Sequence, residues 1–171
     1  MDWNVIIAIA AVLTAISTTV YVVLFAIALR IALYQLIEFE KSRKLQATLA
    51  IFRELKTRDF IDNRRYIYDF LPEKIEGVES DQLKDYFLEI EVALAAFDRV
   101  GYLLRENHID AEPILENYWA SVWRCWKKSK NIIAWVREKR GQKDYFSNFE
   151  HLFHLSEDYR IQKGYEEPKF Y

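Results

Sequence analysis

Hydrophobic positions change their spacing along this chain, and each change marks an element. From Val5 to Leu29 they are continuous: VIIAIAAVLTAISTTVYVVLFAIAL contains no charged residue. At roughly 1.5 Å of helical rise per residue, the run exceeds the ~30 Å hydrocarbon core of a bilayer. It predicts one transmembrane helix with some tilt to spare. A secretory signal peptide fits poorly. Met1, Asp2, Trp3 and Asn4 include no base, the apolar run is too long, and no cleavage pattern follows it. A core helix of a soluble protein fits poorly as well, because such helices rarely stay free of charge for so long.

Beyond Leu29 the spacing turns helical and amphipathic. Leu45, Leu49, Phe52 and Leu55 recur at helical intervals, and no Gly or Pro intervenes. One long helix is expected to leave the membrane as a stalk and enter a soluble domain. Glu38 and Lys41 occupy positions that a coiled-coil seam would need, so no zipper is expected. Asp59 reads as the cap of a second helix, Phe60 to Leu71, closed by Pro72. Its apolar stripe is Phe60, Ile67 and Leu71, and Arg64 interrupts it. A third helix is expected from Ser80 or Asp81 to Arg105, with Leu83, Phe87, Ile90, Leu94, Phe97, Gly101 and Leu104 along one face. Gly101 within that stripe predicts a close helix approach. Asp110 is a credible N-cap for a fourth helix, which carries Leu115, Trp119, Val122 and Trp126 on one face; from Lys127 the helix either continues or breaks briefly before the helical IIAWVREK, and Gly141 ends that section. A last helix spans about 143–162, and the tail YEEPKFY is expected to be loose.

The expected fold class is all-α: one transmembrane helix and stalk over residues 1–37, a cytoplasmic bundle of about five helices over 38–164, and the tail 165–171. Orientation follows from the flanks. Asp2 is the only charge before the span, whereas Arg30, Lys41, Arg43 and Lys44 follow it. Positive residues stay on the cytoplasmic side, which predicts an inner-membrane, single-pass protein with its N-terminus outside. Within the span, Ala8, Ala11, Ala15 and Thr18 recur every three or four residues, a pattern that lets another helix approach closely.

Composition sharpens this outline in three places. The formal net charge is −2, so no bulk attraction to nucleic acid is expected. Cys125 is the single cysteine, which excludes an intramolecular disulfide. Walker, dinucleotide and nucleophile-elbow patterns are absent from the sequence. His151 and His154 are one turn apart but lack the four-residue spacing of helical zinc motifs. No catalytic residue, metal or cofactor is assigned.

Two polar features remain. Arg124, Lys127, Lys128, Lys130, Arg137 and Arg140 form a basic segment interleaved with Trp123, Trp126 and Trp135. That mixture suits anionic head groups, an anionic ligand or an acidic partner. Arg124 and Lys128 are expected to be exposed opposite the core face. Arg64 and Asp98, each at a core stripe, are expected to pair, because a charge facing a core is costly alone. Arg65 is the substitute partner.

Several local segments then carry a resemblance: LAIFRELKTRDFIDNRRYIYDFLP, FDRVGYLL, a loop with HID, and a helix containing WASVWRCW. Most of the chain resembles a bacterial family of unknown function, DUF4760. The resemblance implies a membrane-tethered helical domain and no activity. The resulting expectation is a membrane-anchored interaction or scaffold module, not an enzyme. Its partners are membrane lipid and another protein or a second copy. A sensor bundle that binds an anionic small ligand is the alternative.

Overall fold

The computed structural model describes residues 2–72 and 74–169. Five helices and no strand occur among them: α1 (Trp3–Glu54), α2 (Arg58–Asp69), α3 (Ser80–Arg105), α4 (Ala111–Arg140) and α5 (Ser147–Lys163). The fold is all-α. The chain divides into two compact units between Arg43 and Lys44. That division and the expected one at 37/38 fall in the same unbroken helix.

The first unit is the N-terminal part of α1. Every described side chain from Asp2 to Arg43 is exposed, although most are apolar up to Phe39. The helix is long and apolar enough to cross a membrane. Thr14, Thr18 and Thr19 donate their hydroxyls to the carbonyls of Ala10, Thr14 and Ala15 at 2.8–2.9 Å. Each hydroxyl proton is thus used inside the helix rather than across a contact.

The second unit, Lys44 onward, has one core. Its centre is aromatic: Phe97 of α3 stacks on Phe149 of α5 at 5.2 Å and meets Phe60 of α2 edge-on at 5.2 Å. Trp126 of α4 meets Phe149 edge-on at 5.2 Å. Such pairs add ~0.5–1.5 kcal/mol each beyond area burial. The end of α1 joins this core through Ile51, and Leu55 just beyond the helix joins it too.

Helix ends follow local chemistry. Thr57 caps α2, its Oγ1 accepting the Phe60 N–H at 3.4 Å; Asp59 therefore lies in the first turn and is not the cap. Asp110 is the N-cap residue of α4 by backbone conformation, but its carboxylate makes no capping bond. It pairs instead with Lys44 Nζ at 3.1 Å. α4 runs without a break to Arg140 and stops at Gly141, whose φ of 65° suits a residue without a Cβ. The tail is not wholly loose: Tyr165 stacks on Trp119 at 5.3 Å, and its carbonyl accepts from Arg160 at 3.2 Å. Phe170 and Tyr171 lie outside the described residues.

Candidate functional site

The expected Arg64–Asp98 ion pair does not form; each side chain is drawn to a different neighbour. Asp98 reaches α5. Its Oδ1 accepts the backbone N–H groups of Asn148 and Phe149 at 3.0 and 2.9 Å, and its Oδ2 accepts Asn148 Nδ2 at 3.3 Å. α5 begins after Phe146, which has a left-handed backbone and supplies no side-chain cap. Asp98 therefore satisfies first-turn donors that α5 cannot satisfy itself, and places a carboxylate at the positive end of that helix. Three residues on, Gly101 packs against Asn148, and a Cβ there would collide with the Asn148 carbonyl oxygen. Arg99, between them in sequence, donates to both carboxylate oxygens of Glu54 at 2.9 and 3.0 Å. The segment FDRVG is thus a fastener of α3 to α5 and to the end of α1.

Arg64 sits half-buried between α2 and α4. Its Nη1 donates to Ser121 Oγ at 3.3 Å, and its guanidinium lies 5.6 Å from the Phe60 ring centre. The Nε is buried without a hydrogen-bond partner. No carboxylate pairs with Arg64 among the described residues. Tyr68, one turn further along α2, places its hydroxyl beside Ser121 and Cys125 of α4, and that oxygen is also buried without an ideal bond. Burial raises the Tyr68 hydroxyl above its ordinary range. Burial likewise pushes the Cys125 thiol up to about 12, against the opposing pull of Tyr68, Arg64 and Arg124. Tyr118, on the same side of α4, is raised by burial too, with Arg64 opposing. A thiol held this far up is a neutral packing group at physiological pH, not a nucleophile.

The basic segment is largely engaged within the bundle. Arg137 donates to the Tyr145 carbonyl and to Glu150 Oε2, both at 2.8 Å. Arg140 lies 4.4 Å from the Tyr145 ring centre and 3.9 Å from Glu91. Lys127 Nζ lies 5.0 and 5.4 Å from the ring centres of Trp123 and Phe153. Arg124 and Lys128 are half-buried rather than exposed, with Arg124 5.9 Å from the Tyr68 ring centre. Lys130 and Lys139 are exposed. A six-residue basic face open to solvent is therefore not what the fold presents: tryptophan and tyrosine rings attract cations to themselves.

On α1, Ala11, Ala15 and Thr18 line one shallow groove with Thr14, Thr19, Val22 and Val23, while Ala8 lines the next groove toward the N-terminus. Among the described residues, no three His, Cys, Asp or Glu side chains converge at metal-binding distance.

One surface escaped the sequence reading. Leu88, Val92 and Tyr102 of α3 are 57, 50 and 47% exposed, and Ala95 lies among them on the outer face. Their sequence signal was present: they fall on the side of α3 away from the stripe that carries Phe87 and Leu94. Helical periodicity marks the buried side of a helix and does not distinguish an outer apolar residue from ordinary surface.

No curated protein and no solved structure significantly matches the chain. Residues 22–154 match the family described as a domain of unknown function, and the chain belongs to that family, DUF4760.

Proposed function

We propose that this protein is a single-pass membrane-anchored interaction module that works by contact rather than catalysis. Its N-terminus lies outside the cell membrane and its bundle in the cytoplasm. The anchor reading is supported by the uncovered apolar surface of α1, which bilayer lipid would cover without any unsatisfied backbone group. The orientation is supported by Asp2 on one flank against Arg30, Lys41, Arg43 and Lys44 on the other.

The observation that carries the interaction reading is the outer face of α3. Leu88, Val92, Ala95 and Tyr102 form an exposed apolar strip along one helix, whereas the other exposed large apolar side chains of the bundle, such as Phe70 and Ile161, lie outside α3; a strip of this kind marks a contact surface. The occupant is a second copy of this chain. Two α3 helices crossing antiparallel at Val92 set Leu88 of one copy near Ala95 of the other. The same crossing brings Asp85 of each toward Arg99 of the other, so one favourable charge pair occurs twice. Arg99, though bonded to Glu54, keeps its side chain 60% exposed.

The test is cross-linking in membranes. Val92→Cys, on the axis of the proposed pair, should give a disulfide-linked dimer under mild oxidation. Lys139→Cys, also exposed but on α4, should give little. Native Cys125 is fully buried and does not compete. Equal yields from the two positions, or none from Val92→Cys, would remove α3 as the contact.

A further inference from the structure

Arg64 poses a problem that the contact surface on α3 does not touch. A guanidinium half out of water, in a setting of rings and hydroxyls, loses hydration and gains no negative charge from the described residues. Among the described residues, the groups near it are neutral or cationic. From α2 come Phe60 and the Tyr68 hydroxyl. From α4 come Tyr118, Ser121 and Cys125, and the guanidinium of Arg124 also acts on Cys125. Burial holds both tyrosine hydroxyls and the thiol in their protonated forms, so none becomes a counter-ion. Ser121 Oγ accepts from Nη1 at a long 3.3 Å. Nη2 makes no bond to any described residue.

We propose that Arg64, with Ser121, Tyr68 and Tyr118, binds a small oxyanion: the phosphate or carboxylate group of a soluble molecule. The fork of a guanidinium matches two oxygens of such a group, which is why arginine recurs where planar bidentate recognition is needed. The hydroxyls of Ser121 and the two tyrosines supply further donors, as neutral groups that add no repulsion. Phe60 and the Tyr118 ring exclude water from one side and so strengthen the charge interaction. The site is built wholly from α2 and α4. Phe52 of α1 packs on Tyr118 with ring centres 5.9 Å apart, and nothing in the site comes from the outer face of α3.

The experiment uses the full chain in mild detergent. Thermal midpoints are compared in phosphate, acetate and chloride at matched ionic strength and pH. One oxyanion should raise the midpoint of the wild type above that in chloride, and the gain should grow with concentration as for a ligand that binds only the folded state. A larger effect of phosphate names a phosphate-bearing ligand, and a larger effect of acetate a carboxylate. The gain should vanish in Arg64→Gln and fall in the near-isosteric Tyr68→Phe, while Lys139→Gln keeps it. General salting-out by phosphate would survive in all three variants. If Arg64→Gln does not fold, phosphorus relaxation of inorganic phosphate mixed with wild type and Tyr68→Phe gives the same comparison. A gain that persists in Arg64→Gln, or no difference between chloride and both oxyanions, would overturn the proposal.

Discussion

At the scale of single residues, the fold assigns familiar side chains to unexpected tasks. Arg137 and Arg140 look like surface charge in the sequence, yet one holds the Tyr145 carbonyl and Glu150 while the other covers the Tyr145 ring. Asp98 looks like the partner of a buried arginine, yet it accepts two backbone N–H groups of α5. Helical periodicity reports which side of a helix a residue occupies, but not which neighbour stands opposite. That neighbour is decided by contacts between segments distant in sequence, such as α3 and α5. Cys125 yields a prediction with a definite sign. Its folded-state value is raised, from 9.0 to about 12, chiefly by burial. The unfolded thiol ionises first, so stability should be intact below pH 9 and fall as pH rises from 9 toward about 12. Urea midpoints measured across that range should decline less steeply for Cys125→Ala than for the wild type. Parallel declines would show that the thiol is not held neutral by the fold.

At the scale of elements, the most consequential joint is α3 against α5. Phe97, Asp98 and Gly101 occupy adjacent turns of α3 and meet Phe149 and Asn148 by stacking, capping and close approach. Gly101→Ala should cost at least ~1–3 kcal/mol, because the obstacle is a backbone carbonyl that cannot rotate aside. Asp98→Ala should cost about 2 kcal/mol, the upper range for loss of an N-cap. Denaturant unfolding with unchanged slope reads both. Values within ~0.5 kcal/mol of the wild type would show that the two helices can part without consequence. Gly101 was legible in the sequence, since a glycine in an unbroken apolar stripe has few other uses. The start of α2 was less so: Thr57 and Asp59 are both acceptable caps, and the choice falls to Thr57 because the turn before it brings its Oγ1 to the Phe60 N–H. The bounds of α3 were readable because polar residues at Ser80 and Arg105 frame a stripe with no competing period.

At the scale of the whole molecule, a helix whose apolar side chains stay uncovered continues into a unit with its own aromatic core. Each unit obeys a different solvent rule. In the first, apolar residues surround the whole helix, the pattern that a helix able to cross a membrane carries. In the second, they are confined to facing stripes, as water demands. This contrast was visible in the sequence as a change from continuous to periodic hydrophobicity near Arg30. The outer strip of α3 was not, because a few apolar residues on a solvated face are ordinary until their neighbours are known. The central claim is an anchor in the membrane with the bundle on the cytoplasmic side, and cysteine labelling in intact cells tests it most directly. Asp2→Cys should react with a membrane-impermeant thiol reagent, and Lys139→Cys should react only after the cells are opened. Labelling of Lys139→Cys in intact cells would contradict the orientation, and release of the protein from membranes by alkaline washing would contradict the anchor itself.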